Sequence, residues 1–377
     1  MNNIIVIGVT HHNTLSMVRC LGMSGFGVTL FIYGDKNSYI RYSKYVTNYI
    51  STNCCDEVFD ILKAQKDESK KPVVISCTDE VSHCFDVYYD ELKDYYHFFN
   101  AGAKGRMTHY MDKQVQVTLA GACGLDIPRS SVKEKGISTV VFDSFPCICK
   151  PLSSISGQKT QICICNNQQE LNRGLKGFDL QARVQIQEFI KKEYEIVVVG
   201  LQVNGNTIIP GFIRKIRDRI GGTTYATVCP IDELPENVIT SVKKFVNEVH
   251  YEGLFGMELI YASGKYYFVE INLRNDATTF AFCIAGVNLV SVYVKAKFGE
   301  DYHDETSKEL RKINSMVELA DISHVKKGEI SIFKWLKEYR KCECLYYSVK
   351  DDLMPCRIAK YKFILEFIGH LISKLKL

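Results

Sequence analysis

Two acidic side chains and a carboxamide recur in a compact pattern: Phe255-Gly256-Met257-Glu258-Leu259-Ile260, a turn, then Tyr267-Phe268-Val269-Glu270-Ile271-Asn272-Leu273-Arg274. Alternate residues of an extended segment share a face, so Glu270 and Asn272 project together while Val269, Ile271 and Leu273 face the other way. Ala262-Ser263-Gly264-Lys265 between the two runs is a hairpin signal, which brings Glu258 alongside. Two carboxylates and a carboxamide oxygen on one sheet face form an oxygen-only donor set suited to Mg²⁺ that also coordinates phosphates. Burying these acids without a cation is expensive. The alternative is an amphipathic hairpin with a solvated acidic face. Upstream, Ile213-Arg214-Lys215-Ile216-Arg217-Asp218-Arg219 concentrates positive charge before Gly221-Gly222. Lys215 and Arg217 share a face if the segment is extended, although a charge run by itself is most often a solvated surface.

The elements that must carry these residues alternate from the start of the chain. Ile4-Ile5-Val6-Ile7-Gly8 is an apolar run of the kind buried on both faces, and a helix pattern over 14–25 follows it. Val28–Ile32 and Pro72–Ser76 are further strands, so the first hundred residues predict a parallel sheet wrapped by helices. Ligands of such sheets collect beyond the strand C-termini, here at Thr10-His11-His12-Asn13 and Thr78-Asp79-Glu80. The plainer expectation for His11 and His12 is a polar loop with a helix cap at Asn13 or Thr14. Later, helices are expected over 112–121 and 236–251, and strands near 139–150, 161–165 and 184–203. Asn204-Gly205-Asn206 is a second hairpin signal.

Bulk properties exclude several classes. At 377 residues the chain outgrows one core and predicts several lobes. The net charge of +4, with no basic run interleaved by aromatics, argues against a nucleic-acid partner. Fifteen cysteines form no C-x-x-C pair; Cys147/Cys149 and Cys163/Cys165 read as small apolar residues on strand faces, reduced and free of metal. The start shows no basic, cleavable leader, and no apolar run reaches the roughly 20 residues of a membrane span. A reducing cytoplasmic location is therefore expected.

The Glu258 to Arg274 pattern resembles the metal-binding strand pair of the ATP-grasp superfamily, an acidic residue, a hairpin, then E-I-N-P-R, with Leu273 in place of the proline. Three upstream segments agree in the same order. Met111-Asp112-Lys113 with Gly124-Leu125-Asp126-Ile127-Pro128 resembles the D-K…G-(I/V)-P lead-in. Pro146-Cys147-Ile148-Cys149-Lys150-Pro151 resembles the strand ending in K-P, and Gln187-Glu188-Phe189-Ile190 the segment that hinges two subdomains. The resemblance implies an α/β fold: an N-terminal Rossmann-like (pre-ATP-grasp) domain over 1–103, then a two-subdomain α+β ATP-grasp fold over 104–185 and 186–300. A C-terminal extension over 301–377 completes the chain.

The same resemblance implies roles. ATP and one or two Mg²⁺ ions (Mn²⁺ as a substitute) are the cofactors, with Glu258, Glu270 and Asn272 on the metal. Lys150, and with it Lys113, would face the phosphates. Ser154, Ser156 and Gly157, in a loop with fewer glycines than usual, would cover them. Glu188 and the backbone of Phe189 and Ile190 would meet adenine, and Glu195 the ribose hydroxyls. Lys215, Arg217 and Arg274 would act on the γ-phosphate and the acyl-phosphate formed from it.

A narrower likeness joins Arg19-Cys20-Leu21-Gly22, Ile40-Arg41-Tyr42-Ser43-Lys44-Tyr45 and Tyr347–Pro355 to bacterial D-aspartate ligases and carbamoyl-phosphate-synthetase-like carboxylate–amine ligases, with Asp352 replacing a proline. It implies small-molecule or peptide-like carboxylate and amine substrates, and a setting in cell-surface polymer or peptide modification. The competing expectations are an ATP-grasp kinase and a nucleotide-binding regulatory protein without turnover. Ile358, Tyr361, Leu365, Ile368 and Ile372 can share a helix face beside Lys360, Lys362, Lys374 and Lys376. Such a helix packs on its own protein or lies peripherally on the inner membrane face. A homodimer is left open.

Overall fold

The computed structural model describes residues 4–152, 162–219 and 222–363. Its fold is organised by three sheets. The first contains β1 (Ile4–Gly8), β2 (Val28–Tyr33), β3 (Val46–Thr52) and β4 (Val73–Ser76), all parallel in the order β3-β2-β1-β4. Every residue of β1 and β4 is buried, as the uninterrupted apolar runs require of strands covered on both faces. This is the expected Rossmann-like α/β unit.

The second sheet contains β5 (Ser130–Lys133), β6 (Cys147–Pro151), β7 (Cys163–Cys165) and β8 (Val184–Glu188), antiparallel in the order β5-β8-β6-β7. The strand expected over 139–150 starts only at Cys147, and β5 carries no periodic apolar signal. Residues 189–193 lead from β8 into the third sheet.

That sheet has seven strands: β9 (Tyr194–Val203), β10 (Asn206–Arg219), β11 (Gly222–Pro230), β12 (Gly253–Ala262), β13 (Lys265–Asn272), β14 (Ile313–Met316) and β15 (Cys344–Leu345). Their order is β13-β12-β9-β10-β11-β14-β15. Both hairpin signals form tight turns. Asn204 and Gly205 have φ of 51° and 77°, and Ser263 and Gly264 have φ of 51° and 79°, the left-handed pairs that match strand twist. A boundary at residue 300 does not hold for this layer, because β14 and β15 complete it from the C-terminal region.

The first and third sheets share one apolar core, which runs from Ile4 and Leu30 through Val198, Phe255 and Phe268 to Tyr346. A buried ion pair adds to the join: Arg19 Nε lies 2.9 Å from Asp352 Oδ2, and its Nη atoms donate to the carbonyls of Tyr346, Tyr347 and Asp352. No single helix among the described residues is long and apolar enough to cross a membrane. A bent pair, Thr279–Ala285 with Leu289–Lys297, passes that test jointly, and its first helix and the start of its second are buried in the core. The expected C-terminal amphipathic helix is described only to residue 363, where Lys362 Nζ donates to the Asn37 carbonyl; Leu365, Ile368, Ile372, Lys374 and Lys376 lie outside the described residues.

Candidate active site

A cavity of about 850 Å³ lies between the three sheets. Lys113, Lys150, Lys215, Glu258, Glu270, Asn272 and Arg274 all line it, so seven of the expected residues converge although they span 162 positions. Glu258 and Glu270 stand directly opposite each other on β12 and β13, and Asn272 is opposite Gly256. Gly256 is required there, since a Cβ would sit 2.8 Å from the Asp276 Cβ, on the turn that follows β13.

Like charges facing each other across a ladder repel, and here cations offset them. Lys113 Nζ lies 3.1 Å from Glu270 Oε2, and Lys215 Nζ lies 2.8 Å from Glu258 Oε2 while also pairing with Glu195. Lys113 is fixed by Asp112, which caps the helix Lys113–Ala122 by accepting from Gln114 and Val115 N–H. Burial, reinforced by the Glu270 and Glu195 charges, raises Glu258 to about 7 against the pull of Lys215. Burial opposes ionisation of Glu195 too, yet Lys215 and Lys192 hold it at about 2. Lys150 reaches the cavity from the end of β6, its Nζ 3.3 Å from Gln187 Oε1. Burial and the neighbouring Lys113 lower it to about 8. The set therefore presents two opposed carboxylates and a carboxamide oxygen with ammonium groups around them. A hard divalent cation fits this donor chemistry, and it would relieve the burial penalty that Glu258 carries.

Arg274 forms the far wall. Asp79 holds it through Nε–Oδ1 at 2.8 Å, and its Nη atoms donate to the Asn275 carbonyl and Asn272 Oδ1. The N-terminal sheet contributes Val9, His11, His12, Asn13, Thr78 and Asp79 to the same cavity. His11, rather than Asn13 or Thr14, caps the helix His12–Met23, with its Nδ1 accepting from Asn13 N–H. That frees the Asn13 side chain to donate to the carbonyls of Cys77 and Asn275, which ties the first sheet to the turn after β13. Burial, with His11 and Arg219 nearby, keeps His12 neutral.

Several expected residues stand elsewhere. Arg217 does not line the cavity: a register shift between Lys215 and Arg217 leaves Ile216 unpaired and turns Arg217 to the opposite face. There it clamps Asp321 (2.7 Å) and Glu338 (2.6 Å) and covers the Tyr225 ring. A second shift, between Glu258 and Leu259, leaves Val269 extra on β13 and turns it into the cavity instead of the core. Glu188, Phe189 and Ile190 connect the second and third sheets beyond the cavity lining; Phe189 N–H already donates to the Pro146 carbonyl. Glu195 does not line the cavity; it pairs with Lys215, which does, and its charge acts on Glu258. Ser154, Ser156 and Gly157 lie outside the described residues.

Asp276, Thr278, Arg219 and Tyr346 also line the cavity and were not singled out by sequence. Asp276 and Thr278 follow Arg274 closely and form a local turn, Thr278 Oγ1 donating to Asp276 Oδ1 at 2.6 Å. Tyr346 comes from the far end of the chain and carries no local signal.

Residues 113–278 match the ATP-grasp domain family model. The formate-dependent phosphoribosylglycinamide formyltransferase of Bacillus subtilis is 28% identical over 162 residues, 41% of this chain and 42% of that protein. A carbamoyl phosphate synthase large chain of Clostridium perfringens is 23% identical over 181 residues, 45% of this chain and 17% of that protein. The chain thus spans less than half the length of these relatives. Among solved structures, N5-carboxyaminoimidazole synthetase of Staphylococcus aureus complexed with ADP superposes with a TM-score of 0.65 at 14% identity, covering 87% of this chain and 86% of that one. L-amino acid ligase of Bacillus licheniformis gives a TM-score of 0.64 at 14% identity, covering 84% and 80%.

Proposed function

We propose that this chain, whose residues 113–278 carry an ATP-grasp domain, is an ATP- and divalent-metal-dependent ligase, ADP-forming, that joins a carboxylate to an amine. The observation that carries this reading is the opposition of Glu258 and Glu270, with Asn272 and Arg274 at the end of the same strand and three lysines converging on them. Glu258, Glu270 and Asn272 would hold Mg²⁺, with Mn²⁺ as a substitute. When bound, the ion would supply charge neutralisation on the phosphates.

The chain's own residues define the rest. Lys150 and Lys113 enter from the second-sheet side and would place ammonium charge against the phosphates of a bound nucleotide. Lys215 is held charged by Glu195 and Glu258, so its donor is fixed before substrate arrives. Arg274, locked by Asp79, faces the part of the cavity walled by the N-terminal loops, the place for a carboxylate as it accepts the γ-phosphoryl group. His12, kept neutral by burial, lines the same part of the cavity without adding positive charge there. Acyl-phosphates hydrolyse readily, and a cavity walled on three sides limits water.

The substrates are proposed as a class, small-molecule or peptide-like carboxylate and amine, in keeping with cell-surface polymer or peptide modification. Phosphate release with ATP and Mg²⁺ over a matrix of carboxylates and amines, followed by mass analysis of products, tests this. Release that requires a carboxylate alone and yields its phosphate would instead identify a kinase. No release with any pair, alongside nucleotide binding, would identify a regulatory binder.

A further inference from the structure

Away from the cavity, one other group of metal-ligating side chains converges among the described residues. Cys147 and Cys149 on β6 stand directly opposite Cys165 and Cys163 on β7. Alternate residues on a strand share a face, and so do cross-strand partners, so all four thiols project to one side. The Sγ atoms of Cys147, Cys149 and Cys165 lie within 4.8 Å of one another, and Cys163 Sγ lies 4.0 Å from Cys165 Sγ. Cys147, Cys149 and Cys165 are buried, while Cys163 is half-buried on the edge strand.

The helix above is cut to fit them. In Gln168–Leu175, a Cβ on Gly174 would stand 2.8 Å from Cys163 Sγ and 3.2 Å from Cys165 Sγ. Glycine inside a helix costs about 1 kcal/mol relative to alanine, and the sulfur atoms occupy the space that glycine leaves. Leu171, Leu175 and Phe178 close the rest of the pocket with carbon. Four thiols facing one another there have only weak hydrogen-bonding capacity. A metal-bound thiol is deprotonated outright, so a coordinated soft cation takes these side chains as thiolates.

We propose that Cys147, Cys149, Cys163 and Cys165 form a four-thiolate site for a soft d¹⁰ metal ion, zinc in the first instance. Zinc–sulfur bonds of about 2.3 Å place tetrahedral sulfurs ~3.8 Å apart, close to the 4.0 Å between Cys163 and Cys165 and inside the 4.8 Å that bounds Cys147, Cys149 and Cys165. On binding, each thiol exchanges its proton for a metal–sulfur bond, with four protons released to solvent per ion and no redox step. Four protein ligands make this a closed, structural site. It ties the three-residue edge strand β7 to β6, and the half-buried Cys163 marks the route of entry. Ile148 and Lys150 leave β6 on the other face and line the main cavity, so the cysteine site underpins the strand that presents Lys150.

Reduced, metal-stripped full-length protein titrated with Co²⁺ tests the proposal. The expected result is one Co²⁺ per chain, with thiolate-to-cobalt charge transfer in the near ultraviolet, tetrahedral d–d bands in the visible, and displacement by Zn²⁺. Cys147→Ser with Cys165→Ser should abolish these bands, and Cys54→Ser, outside the cluster, should leave them unchanged. Because the double variant removes buried groups, Cys163→Ser at the sheet edge serves as the fold-sparing variant, with Zn²⁺ affinity at least about tenfold lower. X-ray absorption of the zinc-loaded wild type should count four sulfurs at about 2.3 Å, falling to three in Cys163→Ser. No charge-transfer band in the wild type, bands that persist in the double variant, or fewer than four sulfurs on zinc in the wild type would overturn it.

Discussion

Glu270→Gln separates the proposed chemistry from the architecture. Glu270 faces Glu258 across the hairpin and pairs with Lys113 at 3.1 Å, with its side chain 26% exposed to the cavity. The amide keeps the shape and loses the charge. For the fold this is close to neutral: one partly exposed ion pair, worth about 0–1 kcal/mol, is lost. A carboxylate that raises Glu258 disappears with it, which works in the opposite direction. For the proposed catalysis the loss is large, because the proposed metal ligand goes from the cavity in which charge would be stabilised. If about 3–4 kcal/mol of transition-state stabilisation depends on that ligand, kcat/KM falls roughly 10²–10³-fold. The assay is ADP-coupled turnover with the best carboxylate–amine pair, beside a thermal melt with and without Mg²⁺. The wild type should gain Tm with Mg²⁺ and nucleotide, and the variant should lose that gain while its apo Tm stays within a few degrees. Activity within tenfold of wild type, with the Mg²⁺-dependent Tm gain retained, would refute the metal assignment.

Lys150 is lowered to about 8 by burial and by Lys113. Its ammonium form therefore dominates below pH 8 and falls to about one part in ten at pH 9. The KM for ATP should rise about tenfold between pH 7 and 9 in steady-state kinetics, and Lys150→Met should raise KM throughout and flatten that rise. Arg217→Ala should leave kcat of the folded enzyme within about twofold, because the bulge turns Arg217 out of the cavity. It should cost about 3–5 kcal/mol in urea unfolding, because Asp321 is left buried without its partner. A kcat loss above tenfold at unchanged stability would restore the catalytic role. Arg19→Met should cost a similar amount, because buried Asp352 keeps only the Ser43 hydroxyl and Lys44 N–H and loses its cation, and the Tyr346, Tyr347 and Asp352 carbonyls lose their donor. Limited proteolysis should then cut first within 340–355, and a protease pattern equal to wild type would count against the clamp.

What the sequence made legible was local. The parallel first sheet followed from unbroken apolar runs, and both hairpins from Asn-Gly and Ser-Gly pairs that accept positive φ. Lys150, Glu258, Glu270 and Asn272 each sit in a strand whose pattern could be read within ten residues. Contributions that depend on distant chain segments were not legible. Tyr346 reaches the cavity because Arg19 binds its carbonyl across 327 positions, and nothing near Tyr346 encodes that contact. The four cysteines on β6 and β7 were legible as two same-face pairs. Their convergence depends on the antiparallel register Cys147↔Cys165, which spacing within each pair does not specify.

The two failures of alternation carry more meaning than the successes. Strict period-two reading placed Val269 on the face away from Glu270 and Asn272 and Arg217 beside Lys215, and both are reversed by a one-residue register shift. Each shift falls beside a cavity residue: one follows Lys215, the other lies between Glu258 with Glu270 and the rest of the hairpin. Bulges interrupt a ladder and leave a residue unpaired, and they recur where a sheet must aim side chains at a ligand. At β13 the shift lets Glu270 stand opposite Glu258 while Phe268 still packs into the core opposite Leu259. At β10 it sends Lys215 to the acids and Arg217 to Asp321 from positions two apart. One basic run thereby serves two faces, the cavity and the helices Glu318–Lys326 and Ile332–Tyr339, which uniform pleating would not allow. At these two positions the departure from regularity lies beside the charges that the proposed chemistry uses.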